Sequence, residues 1–525
     1  MPTVSFHNLG AIGIVKDTPE HLLPPEAWTD GKNVRFQDNK VVRFSGHAAV
    51  FDPPTIAPYW ALFCPTATAY QWLYAGLNDV YTFDGSTHTR ISKSAAAYNA
   101  NAVELWSGGL LGGIPIINNS GDVPQMWNPI SSGTLLADLS NWTSTKRAKI
   151  FKPFKAFGVA FNLTETGVEY PHKVLWSHPA DPGAVPASWD ITDATRDAGE
   201  TELTDAHAGV IQDAHSLRDL MIIYKDTSTW GMQYVGGQFI FRFFPILTSS
   251  GILTKDCVNA MPDGLRHVVA NGDDLIIHDG QSAESIINRR YKRWLNNNID
   301  TTNFDRSFLF VDHRNEEVVF AFPQTGGTWP DLSLVVNIRS GEIGVRDFAN
   351  ISFVAPGVVS ETVDGTWASD SDTWAADVTA WNTSLFGPHS DGLLMCNPEA
   401  TKLYQYNSGN QFAGANFQAY VERQGLAIIG RDRQGNPKAD FTSRKLVKRI
   451  WPKISGGAIS VQVGSQEVLD GTVTWAAAQT FTPGTDQYLD FSVNGRLLAV
   501  RFESTANASW EIEGYDLEIE VLGAL

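Results

Sequence analysis

With 525 residues and 43% apolar content, the chain can bury sizeable cores without disulfide or metal staples, and roughly two to four domains are expected. A formal net charge of −18 argues against a duplex-binding protein, whose affinity comes from Lys and Arg on phosphates, and against docking on an anionic membrane surface. The three cysteines, Cys64, Cys257 and Cys396, lie far apart with no Cys-x-x-Cys pair, which excludes a disulfide framework and a cysteine zinc site and implies synthesis in a reducing cytoplasm.

The opening residues 1–10 show no cationic and apolar regions of a signal peptide, and no apolar run approaches the roughly 18 residues of a membrane span. Charged residues make up only 18% of the chain, while 17 Trp and 45 Gly favour short strands joined by tight turns. Residues 1–55 read as an N-terminal arm. A helical turn is expected around 24–28, and residues 33–44 read as a clear hairpin. That hairpin is expected to close a propeller.

Residues 56–414 repeat one unit: a short apolar strand, an Asx-rich turn and a second strand. Leu73 to Gly85, Val268 to Gly280 and Leu309 to Phe320 share this logic, and similar units can be drawn near 105–140, 150–190, 210–247 and 385–410. Alternation over 72–83 and 220–234, and the apolar runs at 114–117, 318–322 and 332–338, also read as strands. No stretch of about 12 residues keeps a helical period; a helical turn is expected near 282–295. A spacing of about 40–50 residues is that of propeller blades, six or seven of them. Residues 415–525 then alternate over 460–463, 487–493, 496–502 and 510–521, which predicts a small antiparallel β-sandwich. The expected fold class is therefore all-β, a propeller-like domain with a C-terminal sandwich.

Catalytic and binding signatures are scarce. The glycines of Gly108-Gly109-Leu110-Leu111-Gly112-Gly113 lack the Lys and helix of a phosphate loop, so they read as a turn. His207 and His215, with Asp205 and Asp213, have no ligand spacing and read as loop residues. Asp370 and Asp372 open like a calcium loop but lack its Gly and Glu, since Ala375 and Trp381 stand there. No catalytic residue, metal ligand or cofactor is assigned, and the chain is expected not to be an enzyme.

Three groups remain as candidate protein interfaces. Trp367, Trp374 and Trp381 recur every seven residues amid polar ones, and read as packed anchors or a partner surface more readily than as a sugar-stacking row. Lys146 to Lys155 and the run Arg289, Arg290, Lys292 and Arg293 are basic, the second interleaved with Tyr291 and Trp294. In 421–453 nine cations, among them Arg423, Arg431, Arg433, Arg444, Lys445, Lys448 and Arg449, face only Glu422, Asp432 and Asp440. In so acidic a chain, these basic clusters point toward an acidic neighbour or partner.

Several segments together resemble one family. Asn8-Leu9-Gly10 through Val42-Arg43-Phe44-Ser45-Gly46, Val174-Leu175-Trp176-Ser177 leading to Pro186-Ala187-Ser188-Trp189-Asp190, the stretch from Ser216 to Trp230, and the ending from Trp510 to Glu520 are similar to the tail nozzle, or packaged-DNA-stabilisation, proteins of short-tailed bacteriophages. The resemblance covers most of the chain by order of elements, and its motifs carry no catalytic residue. It implies a propeller with an attached β-domain, assembled as a homo-hexamer below the portal and a tail adaptor protein. Such a ring in the virion retains the packaged genome, passes double-stranded DNA without sequence-specific binding, and offers docking surfaces for fibres or spikes. The DNA path would run between subunits, each propeller's own pore being filled by side chains. A receptor- or carbohydrate-binding tail protein is the alternative; a propeller hydrolase lacks the expected catalytic pairs.

Overall fold

The computed structural model describes residues 3–66, 70–204, 209–237, 239–287, 290–359, 391–431 and 437–524. The chain is all-β among these residues apart from one short α-helix, Lys292–Asn298, and two 3-10 turns.

Seven four-stranded antiparallel sheets follow one another as propeller blades. Blade 1 holds Trp60–Pro65, Tyr70–Ala75, Val80–Phe83 and His88–Arg90. Blade 2 holds Ser107–Leu111, Ile114–Asn118, Gln125–Met126 and Ala137–Asp138. Blade 3 is Lys146–Phe154, Phe157–Glu165, Val168–Trp176 and Gly199–Glu202. Blade 4 is Ile211–Leu217, Leu220–Lys225, Thr229–Tyr234 and Phe241–Leu247. Blade 5 comprises Val258–Ala260, His267–Ala270, Leu275–His278 and Ala283–Ser285. Blade 6 comprises Phe308–Asp312, Glu317–Phe322, Leu332–Asn337 and Ile343–Asp347. Blade 7 combines Phe353–Val358, Asp391–Asn397 and Lys402–Tyr406 with His47–Ala49 from the N-terminal arm, paired Tyr404 to Ala49 and Tyr406 to His47. From blade 2 to blade 6 the first strands of successive blades lie side by side, and the first strand of blade 7 returns to that of blade 1.

The repeated sequence unit has a local cause. Asn271 Oδ1 accepts the amide of Asp274, and Asp279 Oδ1 accepts those of Gln281 and Ser282. In blade 1, Asp84 Oδ1 likewise accepts the amides of Ser86 and Thr87, and Gly85 and Gly280 take positive φ. The apolar runs follow from burial on both faces. Ile116 packs into the core between blades 2 and 3, and Ile117 into that between blades 1 and 2. Ile150 and Phe151 divide in the same way between the two sides of blade 3. The glycine cluster is a hairpin turn within blade 2, Gly112 and Gly113 supplying positive φ.

The second unit is a sandwich of two six-stranded sheets. One sheet contains Thr3–His7, Val34–Gln37, Lys40–Arg43, Ser443–Gly456, Leu489–Gly495 and Trp510–Ala524. The other contains Asp30–Lys32, Ala419–Leu426, Ile459–Gln466, Thr474–Trp475, Gln479–Phe481 and Leu497–Ser504. The expectation that the 33–44 hairpin closes the propeller is corrected here. Val41 and Val42 pair with Ile512 and Glu511, and Val34, Phe36 and Val41 join Val447, Ile450 and Phe502 in one core. Only His47–Ala49, farther along the arm, completes a blade.

The expected helical turns also shift. Ala283–Ser285 is the outer strand of blade 5, and the helix begins at Lys292 because Asp17 caps it from far away, its carboxylate accepting the amides of Arg293 at 2.8 Å and Trp294 at 3.0 Å. Near the start, the 3-10 turn is Glu20–Leu22 rather than 24–28.

Candidate functional site

Segments that enter the inner strands of several blades meet around the propeller axis. Lys255, just before the first strand of blade 5, sends its ammonium to the segment that precedes blade 2. There it donates to the carbonyl oxygens of Glu104 at 2.7 Å, Leu105 at 2.9 Å and Trp106 at 2.8 Å. These two segments enter blades three places apart, so the side chain spans the axis. Its three donors are all used, and burial pulls its pKa below the ordinary range.

Beside it, Asp213 on the inner strand of blade 4 is 1% exposed. Its oxygens take an ion pair from Lys152 of blade 3 at 3.1 Å and the amides of Ala214 and Asp256 at 2.8 and 3.0 Å. Burial raises the carboxyl, but Lys152 and the two amides outweigh it and hold Asp213 below its ordinary value. Asp256 goes the other way: burial and the charge of Asp213 raise it, against Lys255 at 3.9 Å. The outer end of the cluster opens into a cavity of about 510 Å³ whose lining includes Glu104, Lys149, Gln212, Asn271, Phe304 and Asp305. Glu104 and Lys149 pair at 3.1 Å.

Asp213 is expected from the sequence to be a loop residue, as is His215; both lie instead on the strand Ile211–Leu217. Asp205 and His207 lie outside the described residues. His215 stands edge-on to His267 at 5.0 Å, and the Tyr224 hydroxyl bonds His267 and His278 at 2.8 and 2.6 Å in a packed contact between blades 4 and 5. Burial lowers His267 to about 3 and His278 to about 4. Lys255 and Asp256 have no place among the expected site residues, and Lys152 enters only as part of the basic stretch Lys146 to Lys155. The available signal was positional: each sits in, or directly before, the first strand of a repeat.

The expected interface cations find partners within the chain. Arg423, 2% exposed, donates to the carbonyls of Glu20, Leu23 and Gln424, and burial lowers it to about 10. Lys445, 0% exposed, donates to the carbonyls of Asp440, Ser443 and Arg496. Neither can belong to an exposed interface, because both fix backbone inside the sandwich. Arg444 pairs with Glu467, Lys448 with Glu520 at 2.6 Å, Arg449 with Asp490 at 2.7 Å and Lys453 with Asp516 at 3.0 Å. For Lys448 and Lys453, the acidic neighbour is the adjacent strand Trp510–Ala524. Residues 290–293 fasten the arm to the propeller: Arg290 donates to Gly341, its own carbonyl accepts the amides of Lys16 and Asp17, and Arg293 donates to the Asp17 carbonyl. Lys292 pairs with Asp273 at 2.9 Å. Arg289, Arg433, the side chain of Arg431, Asp370, Asp372, Trp367, Trp374 and Trp381 lie outside the described residues.

No family model matches the chain, and no curated protein does. Among solved structures it is similar to a candidate 6-phosphogluconolactonase from Bacteroides fragilis, at 8% identity over 77% of this chain and 94% of that chain, with a TM-score of 0.36. A likeness that distant carries no argument about activity.

All three cysteines are buried, and burial pushes their thiols upward. Among the described residues no group of three or more His, Cys, Asp or Glu side chains is arranged to hold a metal ion. No helix among them is long and apolar enough to cross a membrane.

Proposed function

We propose that this chain is a structural protein of a bacteriophage tail nozzle, one of six copies around a DNA channel below the portal and adaptor. The observation that supports it best is the Lys255 bridge. A propeller whose axis is crossed by a saturated ammonium is suited to be a solid wall element, with the DNA path between subunits. The acidic chain and the pairing of its cations with its own acids and carbonyls favour a wall along which a duplex slides. Cryo-electron microscopy of the particle that contains the chain tests this: a six-fold ring on the tail axis is expected, and a stable trimer free of any adaptor would overturn it.

A propeller hydrolase is the second reading, because the Asp213 and Asp256 carboxyls are pushed apart as an acid and base would be. Against it, Asp213 is committed to Lys152 and two backbone amides. Turnover of a polysaccharide that Asp256→Asn abolishes would establish this reading instead.

A further inference from the structure

The two units meet at a buried ionic cluster, placed where the arm leaves the sandwich to close the propeller. Arg35 comes from the sandwich hairpin, Glu317 and Asp312 from adjoining strands of blade 6, Arg346 from its outer strand, and Asn407 from just beyond the third strand of blade 7. Arg35 Nε stands 3.2 Å from Glu317 Oε1, and its other nitrogens donate to Asn315 at 2.8 Å and Asn407 at 3.2 Å. Arg346 donates to Asn407 at 2.8 Å and to the carbonyls of Ser45 and Gly46 at 3.1 and 3.2 Å. Those carbonyls belong to the link directly before the closing strand His47–Ala49. Asn407 completes the ring by donating to Asp312 at 2.7 Å. The Phe44 ring lies under both guanidinium groups, at 4.7 Å from Arg35 and 5.1 Å from Arg346.

Arg35 Nε, Arg346 Nε, the Tyr406 hydroxyl and Glu317 Oε2 lack a hydrogen-bond partner here, and of these only Glu317 Oε2 is an acceptor that gains charge near neutral pH. Glu317 is 2% exposed, and its Oε2 has no hydrogen-bond partner. It adjoins a void of about 10 Å³ lined by Arg35, Phe36, Phe44, Val335, Asn337 and Glu342, with room for at most one water. Asn337 and Glu342 also line a cleft of about 230 Å³ that reaches the surface at Asp38, Asn39 and Arg339. Protons therefore have a short route to Glu317.

We propose that Glu317 is the proton-responsive member of a clasp that ties docking of the sandwich to closure of the propeller, tight when Glu317 carries a proton and slack when it is ionised. An ionised Glu317 leaves charge on Oε2 against Phe36, Phe44 and Val335 without a donor, which the Arg35 pair offsets only in part. The charged and titratable groups facing it are Arg35 from the hairpin, Asp312 and Arg346 from blade 6, Tyr406 from blade 7 and Glu342 across the void. His47, against Tyr404 and near Arg346, is held neutral, at about 3, by burial and then by Arg346, so it does not share the response. Burial, against Arg35 and helped by Asp312, lifts the Glu317 carboxyl from 4.5 to about 7. The sign follows: a carboxyl raised in the folded state stabilises it below the ordinary value, and that stability is lost as pH rises through about 7.

Backbone hydrogen exchange of 34–43 and 47–49, corrected for intrinsic rates, tests the clasp at about pH 5.5 and about pH 8. Opening is expected to be at least about tenfold more frequent at the higher pH, and Glu317→Gln should abolish the difference at the slow, low-pH level. An unchanged pH difference in Glu317→Gln would overturn the proposal. Should that variant fail to fold, isotope-edited infrared spectroscopy of the native chain follows the protonated Glu band directly. Persistence of a buried, protonated Glu at about pH 6 is expected, and its absence there would overturn the proposal equally.

Discussion

Lys255 donates to the carbonyl oxygen of Trp106 at 2.8 Å from the far side of the propeller axis. The same ammonium holds Glu104 and Leu105, so one side chain organises the entry to blade 2 from the entry to blade 5. Lys255→Met keeps most of the unbranched side chain and removes its donors. Buried acceptors left unpaired cost about 1–3 kcal/mol each, and access of water from the adjoining cavity offsets part of this. A loss of about 2–3 kcal/mol in urea unfolding is expected. A variant as stable as the parent would mean that the bridge contributes nothing.

The sandwich should not fold from the C-terminal segment alone. Trp28 is 1% exposed, donates to the Leu9 carbonyl at 2.8 Å and meets Phe502 edge-on at 6.2 Å. Val4, Phe6, Val34 and Phe36 fill the same core. Residues 415–525 expressed alone are expected to lack dispersed amide proton signals, and co-expression with residues 1–46 should restore them. In the full chain Trp28→Ala should cost about 3–5 kcal/mol, as large-to-small changes in a packed core do. A folded 415–525 fragment would show that the N-terminal strands are accessory.

Alternation over residues 33–44 identifies a hairpin and its apolar face, because side chains in a strand point to opposite sides. It does not identify the partner strand, and Val41 meets Ile512 after more than four hundred intervening residues. The blades were more legible because their turns are local: the same Asx side chains that mark the repeat close the hairpins. The helix was misplaced by several residues because its cap, Asp17, comes from the arm. Lys255 carries no signal beyond its place directly before the first strand of a blade, since its partners are backbone carbonyls that any residue supplies.

The basic strand Ser443–Gly456 shows the same limit in electrostatics. Its excess of cations suggested an external acidic partner, yet Lys448 lies 2.6 Å from Glu520 on the neighbouring strand. Both side chains keep more than a third of their surface exposed, so the pair contributes about 0.2–1 kcal/mol. Lys448→Glu and Glu520→Lys should each lower the unfolding midpoint slightly, and the double variant should recover most of the loss. A double variant no more stable than the worse single one would indicate that Lys448 acts on something outside the sheet.

Duplex DNA should bind the isolated chain weakly. A duplex is held by cations that displace its counterions, and each such contact steepens the fall of affinity with salt. Here the net charge is −18, and among the described residues several of the cations that cluster in sequence are engaged by the chain itself: Arg423 and Lys445 by carbonyls, Arg449 by Asp490, Lys292 by Asp273. Binding through them would require these pairs to break and acidic surface to approach phosphates. The repulsion reaches only about 8–10 Å at physiological salt, enough to keep a sliding duplex off the wall without excluding it from a wider channel. Fluorescence anisotropy with a labelled duplex is therefore expected to give a Kd weaker than about 100 μM at physiological salt, the weak end of non-specific binding. In an assembled ring, Asp and Glu should outnumber Lys and Arg on the axis. Sub-micromolar binding that falls steeply with added salt, or a basic axial surface, would mean that the wall grips the genome, and the nozzle reading would then need a different account of how DNA leaves.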